Sequence, residues 1–376
     1  APYSTPLRQQ MGLAGGALLC GVLLLVPGPE GLDPAGWRTA AVGVLMAVWW
    51  VTEALPISAT ALVPLVLCPL LGITDIEGAA APYANPLIVL FLGGFLLAQA
   101  MQRWRLHRRV ALGIVQGIGT EPRSIIIGFL LASALLSMWV SNTATALMML
   151  PIGLSIIDFV RDQLEARGET MPPHFPLVLL LGIAYACNVG GMGTLIGTPP
   201  NALLAGFFSE TYGVEVGFAQ WMVVGLPLVA VALPLVYLVL TWVYPIELDR
   251  LPGGTRVIDA EWERLGRMTT AEGRVAAVFV LTATLWGTRP LLAYLLPGPS
   301  DAGIAVGAGL LLFALPAGTE ARALLVWEDA EELPWGVLLL FGGGLSLASA
   351  ISDTGLAAWI GEGVNALRGG ATLLVV

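Results

Sequence analysis

Uncharged apolar runs alternate along the chain with short polar stretches that hold almost all the charge. The runs fall at 11–27, 39–52, 54–74, 86–102, 124–157, 175–209, 216–246, 275–296, 302–316 and 333–352, with Arg289 as the one charge inside them. Most approach the ~20 residues that one helical membrane crossing needs. The alternating ten-residue segments of a membrane β-barrel are absent. Two runs are too long. As a straight helix, Ser124–Ile157 would extend about 51 Å, against a hydrocarbon core of about 30 Å. Its midpoint is polar, S-M-W-V-S-N-T-A-T-A at 137–146. Phe175–Ser209 is as long, and its centre reads N-V-G-G-M-G-T-L-I-G-T-P-P-N at 188–201.

Composition makes the class plain. Of 376 residues, 57% are apolar and 11% charged, with mean hydropathy +0.83. Soluble domains carry about 25% charged residues. The pattern therefore predicts an all-α polytopic membrane protein. The net charge of −9 adds little, because the acids lie between the runs. No signal-peptide cleavage pattern is present, and Ala1 reads as a trimmed start. Cys20, Cys68 and Cys187 sit inside apolar runs without metal-ligand spacing and read as packing residues.

All 17 basic residues are arginine, and their distribution sets the orientation. With Arg8 cytoplasmic and the spans alternating, 14 arginines fall inside and 3 outside (Arg38, Arg289 and Arg368). The inside group includes R-W-R-L-H-R-R at 103–109, Arg123, Arg161, Arg167 and the cluster Arg250–Arg274. This holds only if 124–157 enters and leaves by one face. That run is therefore expected to be a re-entrant hairpin, with arms of about half a membrane and its tip at Ser141-Asn142-Thr143. Non-helical backbone at membrane depth is tolerated only beside protein or a polar cavity. The run 175–209 reads as one full crossing unwound at its centre, where four glycines and Pro199-Pro200 break the helix.

F-L-G-G-F-L-L-A-Q-A at 91–100 matches F-G-G-G-L-S-L-A-S-A at 341–350 at an offset of 250, and Leu106 meets Leu356 at the same offset. The two copies cross in opposite senses. Inverted repeats and discontinuous helices that bind substrate at the midplane mark many secondary transporters. The same offset places a second hairpin tip near 391–393, so the second half-repeat reads as incomplete at the C-terminus. Four regions follow: scaffold spans leading into the first half-repeat (1–110), hairpin and broken helix (111–210), sixth span and cytoplasmic linker (211–274), and second half-repeat (275–376).

A monovalent cation needs a compact shell of oxygens, and neutral ones suffice. Ser137, Ser141, Asn142 and the Gly197 carbonyl offer such oxygens for Na+. An anion needs donors, preferably at helix N-termini. Asn142, Thr143 and Thr198 are donors at expected half-helix starts, and neither motif contains Arg or Lys. A mobile cation would then supply the counter-charge, which couples the two cargoes by linkage. The bland alternatives are interhelical hydrogen-bond glue for S-N-T-A-T and a structural kink for G-T-P-P-N. Glu53 in T-E-A-L-P reads as interfacial, Asp158 as solvated near the hairpin end, and His107 and His174 as polar-loop residues. Trp49, Trp50, Trp242 and Trp335 read as belt anchors, and 247–274 as an amphipathic surface helix with flexible ends.

S-M-W-V-S-N-T-A-T-A, G-G-M-G-T-L-I-G-T-P-P-N, T-E-A-L-P and P-W-G-V-L-L-L-F-G-G-G together resemble the divalent anion/sodium symporter family over about residues 37–365. The resemblance implies dicarboxylate or citrate transport by a homodimer whose transport domain moves in an elevator manner. It implies a sodium site at Ser137, Ser141, Asn142 and Gly197, with substrate contacts at Asn142, Thr143, Thr198 and Pro199. The family's second S-N-T is not in this sequence, so no second sodium site is assigned.

The sequence thus predicts a sodium-coupled carrier of di- or tricarboxylates in the cytoplasmic membrane, with a cytoplasmic N-terminus and no nucleic-acid partner. The competing readings are a sodium-independent exchanger and a carrier of a divalent inorganic anion such as sulfate. A hydrolase with Ser141 as nucleophile lacks a base at membrane depth. A channel would show unitary currents instead of saturable turnover.

Overall fold

The computed structural model describes residues 7–119, 121–248, 256–292, 294–295, 297–318 and 322–363. Arg250, Arg368 and the segment 249–255 that precedes the linker helix lie outside them. No strand occurs among the described residues; Pro316 and Ala323 form one isolated bridge.

The helices run in chain order. First come α1 (Leu7–Leu25), α2 (Pro34–Thr52), α3 (Ile57–Thr60), α4 (Val63–Leu70) and α5 (Ile76–Ala80). A 3-10 turn (Ala81–Ala84) leads into α6 (Pro86–Arg103), α7 (Leu106–Ile118), α8 (Pro122–Ser137), α9 (Asn142–Glu165), α10 (His174–Gly191) and α11 (Pro199–Tyr212). The rest are α12 (Phe218–Val243), α13 (Arg256–Leu265), α14 (Thr270–Leu292), α15 (Asp301–Ala314), α16 (Trp327–Glu331) and α17 (Trp335–Asp353). Among the described residues, seven helical stretches are long and apolar enough to cross a membrane: Leu7–Leu25, Ile76–Arg103, Asn142–Glu165, His174–Gly191, Phe218–Val243, Thr270–Leu292 and Trp335–Asp353.

Proline and glycine placement explains where the elements depart from the apolar runs. The run 54–74 is two short helices, because Pro56 stands at the N-cap of α3 and Pro64 in the first turn of α4. Glu53, in the left-handed region at φ 50°, ends α2 and turns the chain at T-E-A-L-P. Arg105, at φ 56°, makes a similar corner between α6 and α7. Both histidines expected in loops lie instead in first helical turns, His107 in α7 and His174 at the start of α10. An apolar stripe hidden under R-W-R-L-H-R-R explains the difference. Leu106, Ala111, Leu112 and Val115 are buried, so the basic residues are the polar face of an amphipathic helix.

The chain divides into two compact units, residues 1–89 with 334–376 and residues 90–333. In the first, α1 packs along α2, and α17 packs on α3, α5 and the 3-10 turn. Tyr83 donates to the Ala61 carbonyl and Ser346 to the Ala79 carbonyl at 2.9 Å, satisfying groups at the interrupted helices. In the second, the core forms where α8 meets α7 and α10, around Ile126, Phe129, Phe175, Val178 and Leu179. Gly128 lets α8 approach the backbone of α7 at Val115, and Gly190 lets α10 approach that of α8 at Ala134. On the polar side, α13 rests on α7, with Arg108 2.6 Å from Glu261. Arg109 pairs with Glu272 at 3.1 Å and lies 5.7 Å over the Trp262 ring. The linker helix is thus anchored, with Ile258 and Glu261 buried.

Candidate functional site

The run 124–157 is a hairpin. Its first arm, α8, ends at Ser137, residues 138–141 make the turn, and α9 begins at Asn142. Ser141 occupies the N-cap, and its Oγ accepts from the Ala144 N–H at 3.3 Å. The arms are unequal. At ~1.5 Å per residue the 16 residues of α8 span about 24 Å and the 24 of α9 about 36 Å. The second arm runs beyond Ile157 through Asp158, which pairs with Arg161 at 2.9 Å. The run 175–209 is broken over 192–198, a narrower gap than 188–201. Asn188–Gly191 stays helical because its small residues pack against α8. Thr198 sits at the N-cap of α11 with extended backbone, and Pro199 and Pro200 open that helix.

Hydrogen bonds join the two interruptions. Ser137, fully buried, has its Oγ 2.6 Å from the Cys187 carbonyl and 2.6 Å from Asn142 Oδ1. Its single proton can serve only one of these two acceptors. Asn142 Nδ2 donates to Asn188 Oδ1 at 3.2 Å. The Thr194 hydroxyl donates back to the Met138 carbonyl in the hairpin turn. Two glycines permit the approach: a Cβ on Gly191 would overlap Asn142 Oδ1, and one on Gly197 would overlap the Gly191 carbonyl. Ser137, Asn142 and the Gly191–Gly197 segment are therefore in contiguous contact. Ser141 and Thr143 are exposed beside them, and Thr198 and Pro199 are half-buried at the start of α11.

Breaking a helix frees carbonyls, and side chains cap several of them. Asn201 Nδ2 donates to Gly191 O at 2.9 Å and Thr194 O at 2.8 Å, and Trp221 Nε1 donates to Met192 O at 3.0 Å. Trp139, in the hairpin turn, lies against Phe279 (centroids 4.6 Å, edge-on), Phe218 (5.8 Å) and Trp286 (6.4 Å, stacked). That cluster is pinned in turn. Asp301 Oδ2 accepts from Phe218 N–H at 2.8 Å and lies 3.3 Å from Arg289, and the Asp301 carbonyl accepts from Trp286 Nε1 at 3.0 Å.

Sequence reasoning assigned no role to Cys187 O, Asn188, Thr194 or Asn201. A main-chain acceptor such as Cys187 O has no letter of its own. Asn201 closes G-T-P-P-N three residues after the Thr198 N-cap, and a breaker motif followed by an amide was its available signal.

An all-helical, membrane-crossing chain in which two interrupted helices meet through neutral polar groups has the architecture of a secondary transporter. The sodium:sulfate symporter transmembrane region matches residues 11–376. Sodium-dependent dicarboxylate transporters SdcS of Staphylococcus aureus strains MRSA252, USA300 and bovine RF122 / ET3-1 are each 45% identical over 382 residues. Each alignment covers 100% of this chain and 73% of the relative. The chain belongs to the sodium:sulfate symporter family. It is a membrane transporter, not an enzyme.

Proposed function

We propose that the chain couples entry of Na+ to uptake of a small dicarboxylate of the succinate, malate or fumarate type. The observation that carries this reading is the junction of the two interruptions. Ser137 Oγ, Asn142 Oδ1 and the Cys187 carbonyl converge within 2.6 Å contacts, although one hydroxyl proton cannot bond both acceptors. A cation among these oxygens relieves that crowding. Ser137, Ser141, Asn142 and the Gly197 carbonyl are the proposed sodium ligands. Asn142, Thr143, Thr198 and Pro199 are the proposed substrate contacts, because α9 and α11 both begin among them and their N-terminal dipoles favour a carboxylate, although α11 opens on two prolines that carry no N–H. The SdcS relatives, named for sodium-dependent dicarboxylate transport, support this choice of cargo.

The same reading takes the two glycine helices as an inverted repeat. Gly93 in α6 packs on the backbone of Ala305 in α15, and Gly343 in α17 packs on the backbone of Ala61 between α3 and α4. Glycine and its partner recur at nearly the same offset, as a reciprocal pairing of two half-repeats requires. We further propose that the chain inserts in the cytoplasmic membrane with its N-terminus inside and works as a homodimer by an elevator motion. The regions 1–110, 111–210, 211–274 and 275–376 are then its functional segments.

Uptake of labelled succinate into proteoliposomes, with and without an inward sodium gradient, tests the claim. Gradient-dependent accumulation is expected, and equal uptake in both conditions selects an exchanger. The family description names sulfate, which favours a second reading as a sulfate carrier. Unlabelled sulfate abolishing succinate uptake at low excess would select it.

A further inference from the structure

Beside the first turn of α9, a cavity of about 40 Å³ has three polar residues among its walls: Gln102 of α6, His107 of α7 and Thr145 of α9. Side chains of α8 and α9 and of the hairpin turn complete it, and the volume admits one water. Thr145 is 1% exposed, and its Oγ1 meets no hydrogen-bond partner among the described residues. His107 Nδ1 is 2.8 Å from the Met101 carbonyl, which can only accept, so Nδ1 carries the proton and Nε2 of the neutral ring is an acceptor. Thr145 follows Asn142 by three residues, and its N–H donates to the Ser141 carbonyl at 2.9 Å.

We propose that His107 Nε2 and Thr145 Oγ1 share one enclosed water and form a proton site that opposes cation binding at the hairpin tip. The inference rests on the sodium reading above. With the ring neutral, the water donates to Nε2 and accepts from the Thr145 hydroxyl, which gives the orphan group a partner. With the ring protonated, a positive charge faces the first turn of α9, whose N-terminus is itself positive and adjoins the proposed sodium ligands. Proton and sodium then weaken each other reciprocally.

The surroundings suit this role. Burial pushes the His107 pKa below its ordinary value, and Arg108 and Arg105 push it further, against the Met101 bond that raises it. Arg105 and Arg108 flank it on α7, while α6 brings the neutral Gln102 and Arg103, which turns to Asp329 at 3.4 Å. The hairpin residues that line the cavity carry no titratable group. Glu261 of α13 and Glu272 of α14 are taken by Arg108 and Arg109, and Asp259 of α13 accepts from Gln116.

The test is equilibrium binding of radioactive sodium to the full chain in lipid nanodiscs without substrate, so that protonation of a carboxylate substrate plays no part. Between about pH 7.5 and about 4.5, a window carried below the ordinary histidine value because burial lowers that of His107, wild-type sodium affinity is expected to fall at least about 5-fold. His107→Gln is expected to flatten the profile. Thr145→Val, which removes the hydroxyl but keeps the shape, moves the fall to lower pH, and Thr145→Ser restores it. A flat wild-type profile, or an unchanged slope in His107→Gln, overturns the inference. If His107→Gln does not fold, identical profiles for Thr145→Val and Thr145→Ser overturn it instead. Absence of any sodium binding at about pH 7.5 removes the sodium reading and this inference together, whereas binding without a slope removes this inference alone.

Discussion

Gly191 shows how much one missing side chain does here. Its Cα faces the Asn142 amide so closely that a Cβ would overlap Oδ1, in a buried position where neither helix can retreat. Gly191→Ala is therefore expected to abolish sodium-dependent uptake while the protein still reaches the membrane. Gly21→Ala, where a Cβ meets nothing within 4 Å, should transport normally, so equal loss in both would refute the packing argument. His107 gives a pH dependence of stability. Its pKa is lowered in the fold, so below the ordinary value of about 6.5 the unfolded chain binds more protons than the folded one. Stability should fall as pH drops below about 6.5 and level off beneath the folded value. Thermal unfolding of wild type against His107→Gln measures it, the variant losing less on acidification. Ser137 and Asn142 were legible because polar letters in an uncharged run stand out, whereas Cys187 O was not, since its role is set by the backbone of a neighbouring helix.

The helix breaks are held open by specific donors. Asn201→Ala leaves the Gly191 and Thr194 carbonyls without their amide donor, at a cost of about 1–3 kcal/mol for each buried group left unpaired. A clear drop in melting temperature, together with weaker sodium binding, is expected. No change in either would show that the carbonyls find other partners. Trp139 fixes the other break by packing. Trp139 is half-buried, so Trp139→Ala is expected to cost less than the ~3–5 kcal/mol of a core tryptophan, and Trp139→Phe distinctly less again, as read by thermal unfolding. The hairpin and the broken crossing could be seen in sequence because a run longer than the bilayer must turn or unwind. Their limits could not. α10 holds its helix through Gly190-Gly191 only because α8 packs there, and α9 continues past Asp158 because the chain end of that arm needs no apolar surroundings.

Across the whole chain, the paired glycine contacts lead to a symmetric expectation. Gly93→Val and Gly343→Val each drive a branched side chain into the backbone of another segment. Both should lower folded yield in detergent by similar amounts, and tolerance of one alone would argue against equivalent half-repeats. Native mass spectrometry of the lipid-bound protein tests the homodimer, for which a single-chain mass would be decisive against it.

Apolar runs and two polar midpoints were enough to establish a multi-spanning helical protein, the hairpin and the broken crossing. The reason is that the bilayer imposes length and polarity rules on every segment separately, so one-dimensional information suffices. The carbonyls of Cys187 and Gly191, the amphipathic seat of α7 and the cavity between His107 and Thr145 arose only from how helices distant in sequence pack. Main-chain acceptors, close glycine contacts and enclosed volumes belong to pairs of segments, and no single stretch of sequence contains them.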